Sequence, residues 1–113
     1  MPNRSYILTE NIDSIGSDQF SEKNKGASYH LRQGGSHTFV YTTENFIGTI
    51  GLQGTLESYP GESDWVDILD TEFLSSNIDS SISHSGNFVG NFVWIRAKYT
   101  ISSGEILQIR YNY

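Results

Sequence analysis

The chain has no cysteine, which excludes thiolate nucleophiles, thiolate metal sites and structural disulfides. This absence fits any redox compartment and assigns none. No apolar run approaches the roughly 20 residues of a membrane-spanning helix. The N-terminal residues also lack the apolar stretch of a signal peptide, so a soluble chain with no membrane partner is expected. Bases are few, with seven Lys and Arg against 13 Asp and Glu and a net charge of −6. Phosphate binding depends on clustered Lys and Arg, so no nucleic-acid partner is expected. Helix signals are nearly missing: only residues 21–25 are weakly compatible with a helix, and Gly26 ends them.

What remains is β chemistry. Short runs of β-branched and aromatic residues are broken by Gly, Ser, Asn and Asp. They predict strands over 5–9, 27–32, 36–43, 49–57, 65–73, 78–83, 91–100 and 105–111. About eight strands with turns every 8–12 residues imply an all-β, antiparallel, jelly-roll-like sandwich. A length of 113 residues suits one domain. The polar segment before it reads as an irregular N-terminal arm or long loop over 1–26, leaving the sandwich to 27–113. Gly34-Gly35, Tyr59-Pro60-Gly61 and Ser102-Ser103-Gly104 supply turn chemistry, the first and last as short hairpins. In the run at 50–56, Ile50, Leu52 and Leu56 share a face with Gly54, which leaves room there for Trp65 or Trp94.

The same four letters occur twice in succession, Gly86-Asn87-Phe88-Val89 and Gly90-Asn91-Phe92-Val93. The doubled Gly-Asn reads as turn and bulge chemistry, since both residues tolerate positive φ. The following strand separates into two faces. Val93, Ile95, Ala97, Tyr99 and Ile101 form a core face, because apolar residues at period two leave water together. Phe92, Trp94, Arg96 and Lys98 form the other. Two readings stand open for this second face. Either loops cover the aromatics while the cations reach solvent, or all four make an exposed contact patch.

Catalytic signatures are not found. His30, His37 and His84 read as ordinary strand histidines, and no metal is expected. Glu62, Asp64, Asp67, Asp70, Glu72 and Asp79 form an acidic stretch over 62–79 without a base, lacking the spacing of a calcium loop. A solvated acidic strand edge that discourages unwanted pairing is the expectation. No Gly-x-Ser-x-Gly, phosphate loop or dinucleotide fingerprint occurs. The chain is expected to be no enzyme and to need no cofactor.

The series GTIGLQGTLE at 48–57, Pro60, DWVDI at 64–68 and GNFVWIRAK at 90–98 resembles small structural proteins of tailed phages, particularly those of cyanobacterial hosts. The likeness covers about residues 37–111. It implies a β-sandwich module on a virion, a capsid-decorating (cement) or tail-associated protein present in several copies. Such a module would contact itself, as a homotrimer or other closed oligomer, and a larger virion protein. The expected contact residues are Phe92, Trp94, Arg96, Lys98, Tyr111 and Tyr113, with the acidic 62–79 segment matched to a basic surface. The alternative is a carbohydrate-binding or host-receptor-binding module, which seven tyrosines and two tryptophans would suit by stacking on sugar rings.

Overall fold

A computed structural model describes residues 5–26, 35–75 and 81–112. Eight strands occur among them: β1 (Ser5–Ile12), β2 (Gly16–Phe20), β3 (Asn24–Lys25), β4 (Ser36–Thr55), β5 (Val66–Asp67), β6 (Phe73–Ser75), β7 (Ser81–Val89) and β8 (Trp94–Asn112). All pair antiparallel in one sheet. β4 and β8 run side by side from Thr38 opposite Asn112 to Thr55 opposite Trp94. The short strands line their outer sides. β1, β2 and β3 follow one another along β8, while β7, β6 and β5 follow one another along β4.

The two long strands do not lie straight. Nineteen residues of extended chain would span about 60 Å, yet the longest dimension of the molecule is 42 Å. The bend lies where the pairing of β4 with β8 slips, between Thr42 and Gly48. Asn45 (φ 51°) and Gly104 (φ 76°) meet there in the left-handed region. A Cβ on Gly104 would stand 2.0 Å from the Asn45 carbonyl oxygen, so glycine is required at that position. The fold brings the far ends of the sheet together. The Tyr111 hydroxyl, at one end of β8, donates to the Lys25 carbonyl beside the other end. Only residues 90–93 separate the end of β7 from the start of β8. The result is an all-β antiparallel sandwich, made by folding a single sheet over itself.

Alternation explains which side is inside. Along β4, His37, Phe39, Tyr41 and Thr43 are buried, and the slip at 44–47 shifts the parity so that Phe46, Ile50 and Leu52 continue the face. Along β8, Ile95, Ala97, Tyr99 and Ile101 are buried, and beyond the bend Ile106, Ile109 and Tyr111. Each large apolar side chain withdrawn from water contributes about 2 kcal/mol. Tyr41 crosses between the halves, donating to the Thr71 carbonyl at 2.7 Å. Burial pushes its phenol well above the usual tyrosine range, and the hydrogen bond with Thr71 opposes this only partly.

Several expectations are corrected. The strands expected at 36–43 and 49–57 are one strand, β4, and those at 91–100 and 105–111 are one strand, β8. Ser102-Ser103-Gly104 is the inside of a bend and joins no hairpin. The segment 1–26, expected as an arm or loop apart from a strand over 5–9, forms that strand as β1 and, over the rest of its described part, two further edge strands, β2 and β3. The strand expected at 65–73 is broken after Asp67. There Asp70 takes φ 65°, and the Thr71 hydroxyl donates to the Ile68 carbonyl while accepting the Leu52 N–H. The strand expected at 27–32, with His30 and Arg32, lies outside the described residues.

The doubled tetrapeptide divides between two roles. Phe88 of the first copy is buried in β7 and stacks on His37 at 4.4 Å. The second copy crosses from β7 to β8, and its Phe92 covers Gly54, filling the space expected for a tryptophan. Gly86 and Gly90 have no positive φ. They matter for the missing Cβ, which would stand 2.7 Å from the Phe39 ring at Gly86 and 2.4 Å from the Phe92 ring at Gly90. The doubled glycine makes space for rings, and neither copy takes the expected positive φ, although Gly90-Asn91 does lie in the connection from β7 to β8.

Candidate functional site

Where β2, β8, β4 and β5 lie side by side, the residues between the core positions point to the outer face. Phe20 opposite Lys98, Lys98 opposite Gly51, Arg96 opposite Gln53 and Gln53 opposite Asp67 compose it. Arg96 is at its centre and is only 8% exposed, although the alternation places it toward solvent. Its guanidinium is held between two rings, Phe20 at 4.1 Å and Trp65 at 4.4 Å from their centroids. A guanidinium between aromatic faces gains from both ring quadrupoles, about 1–2 kcal/mol each when water is excluded. Nε of Arg96 donates to Gln53 Oε1 at 2.9 Å, and Gln53 Nε2 donates to Asp67 Oδ1 at 2.8 Å. The amide of Gln53 is thereby fixed in orientation. Glu62 stands 3.5 Å from the guanidinium but is largely exposed, so this ion pair adds little.

The expected contact residues fall in different places. Trp94 is half-buried on this face, its indole N–H donating to the Ser58 carbonyl at 3.0 Å and the Lys23 ammonium lying 5.1 Å from the ring centre. Lys98 faces Asp18 at 3.9 Å. Phe92 packs against the core, and Tyr111 is a core residue stacked on Tyr6 at 5.4 Å. Tyr113 lies outside the described residues. The idea of four exposed side chains in a row is therefore replaced by a clamp closed within the chain. Phe20, Gln53 and Trp65 belong to that clamp and were not foreseen. Phe20 was the one large aromatic in a stretch otherwise read as loop, and that was the available signal.

Beside the clamp the face opens into a groove of about 380 Å³. Gly51 lies in its floor, flanked on the strand by Thr49, with Lys98 and Thr100 from β8. Asp18 forms one wall, and the chain from Asp67 through Leu69 and Asp70 to Glu72 forms the other. The acids of the 62–79 stretch that are described, Glu62, Asp64, Asp67, Asp70 and Glu72, are all exposed. Asp79 and His30 lie outside the described residues. His37 donates through Nδ1 to the Gly35 carbonyl at 2.7 Å inside the core, and His84 stacks on Phe73 at 4.7 Å. Among the described residues no group of three or more His, Cys, Asp or Glu is placed to hold a metal ion.

A second feature is the flank along β4. Leu56, Tyr59, Val66, Leu69 and Leu74 are all exposed there, with Leu56, Leu69 and Leu74 at 72%, 84% and 75%. On the opposite flank Ile7, Ile15 and Phe20 are exposed. Among the described residues no strand pairs with the outer edges of β1–β3 or of β5–β7. No protein-family model and no curated protein matches this chain.

Proposed function

We propose that the chain is a non-enzymatic virion structural protein, a capsid-decorating or tail-associated module that works through protein–protein contact. The observation that carries the reading is the apolar β4 flank. Single exposed leucines are ordinary on a protein surface. Three nearly bare leucines with a tyrosine and a valine along one flank, beside a sheet edge that no described strand pairs with, suit a surface that another subunit covers. The resemblance of residues 37–111 to tailed-phage structural proteins supplies the setting, a particle with many copies. The acidic 62–72 stretch borders the same flank and would favour a basic partner.

The mechanism is mutual burial of the two flanks, with edge strands placed for pairing between copies. Light scattering of the purified chain over a range of concentrations tests it. A closed oligomer is the expected outcome, a trimer having a mass near 38 kDa, about three times 12.7 kDa. Leu74→Glu, which alters no buried contact, should return it to a monomer. A monomer at every concentration would remove self-assembly from the mechanism.

A further inference from the structure

Gly51 stands inside the 20-residue strand β4, four residues from its end, without a local reason to be glycine. Its φ is not positive. The other five described strand glycines, Gly16, Gly48, Gly54, Gly86 and Gly104, each have an atom within 3.5 Å of the place a Cβ would occupy. At Gly51 nothing lies within 4 Å. Glycine inside a strand costs roughly 0.5–1 kcal/mol and often marks a place where a ligand approaches the backbone. Thr49 and Gln53, its neighbours on the same face, are ordinary strand residues. The space left open above Gly51 is the floor of the 380 Å³ groove, a volume at the small end of ligand sites.

The walls select among ligands. Four carboxylates, Asp18, Asp67, Asp70 and Glu72, face one ammonium, Lys98, which disfavours phosphates and other anions. Metal ions are disfavoured because the acids do not converge. A basic peptide would answer the carboxylates, yet it would meet Lys98 and leave the threonine hydroxyls unused. A neutral polyhydroxyl compound uses every wall. Carboxylates accept from its hydroxyls, and Lys98 donates to its oxygens. The Thr100 hydroxyl, already accepting the Asp18 N–H at 3.2 Å, still has a proton to donate. Leu69 and the bare backbone of Gly51 offer an apolar rest for the C–H face of a pyranose ring. We propose that the groove over Gly51 binds a neutral saccharide. Leu69 also belongs to the exposed β4 flank, so a subunit covering that flank would compete with the saccharide for it.

The test is an amide-resolved NMR titration of the full chain with methyl glucoside, methyl galactoside, methyl mannoside and N-acetylglucosamine, each taken to tens of millimolar. Saturable shifts at Gly51, Asp70, Lys98 and Thr100 are expected for at least one of the four. Gly51→Leu fills the floor without touching the fold, and should weaken that binding by roughly tenfold or more while the melting temperature holds or rises. Lys98→Met, which removes one donor and leaves the floor open, should weaken it less and serves if the first variant fails to fold. The proposal falls if no sugar moves the groove amides, or if the shifts survive in both variants. It falls equally if only a Lys-rich peptide, added in place of sugar, shifts those amides in a salt-dependent way.

Discussion

Arg96 owes its position to residues that are distant in sequence. Phe20 and Trp65 clamp it from either side, and Gln53 orients its Nε. Only a planar cation fits between two rings while donating sideways, so lysine is no substitute. Arg96→Lys should lower unfolding free energy by about 1–2 kcal/mol in a denaturant titration. Tyr41 supplies a second prediction, in pH. Its phenol is raised by burial in the folded state, so the unfolded chain releases this proton first as pH rises. The stability it contributes is whole below the ordinary tyrosine value of about 10 and falls above it by about 1.4 kcal/mol per pH unit. Tyr41→Phe should flatten the alkaline limb of the stability curve by one proton, read from unfolding at a series of pH values.

At the scale of elements, the long bent strands carry the architecture, and their bends were the part hardest to read. Faces were legible: of Val93, Ile95, Ala97, Tyr99 and Ile101, which follow from period two alone, the structure buries the last four and leaves Val93, just before β8, half-buried. Continuity was not. Ser102-Ser103-Gly104 has the composition of a hairpin because a hairpin and a sharp bend both need a left-handed residue, and only the partner strand distinguishes them. Whereas β1 was expected over 5–9, the edge strands β2 and β3 were missed for a related reason. Each shows one face to water along much of its length, so few apolar residues mark it. The clamp was half legible. Arg96 was singled out, but the rings that cover it come from 76 and 31 residues away along the chain. Gly104→Ala tests the bend itself. Its added methyl would collide with the Asn45 carbonyl on a backbone with φ 76°. A loss of about 2–3 kcal/mol is expected by thermal or chemical unfolding.

For the whole molecule, the central place of β8 has a consequence in time. The last strand in the sequence is the one that β1, β2, β3 and β4 all pair with: Tyr6 meets Tyr111, and Thr55 meets Trp94. Among the described residues, the first three strands have no partner in the sheet until β8 has left the ribosome. Before then only the pairings of β4 with β5, β6 and β7 can form, and most of the pairings that follow close long loops of chain. Folding is then a late, cooperative event of the slow, non-local kind, in milliseconds to seconds. Until it happens the apolar faces of β1 and β4 are open to neighbouring chains. Loss of residues 105–112 would remove the middle of the sheet, and such a chain should be recovered as aggregate or be degraded.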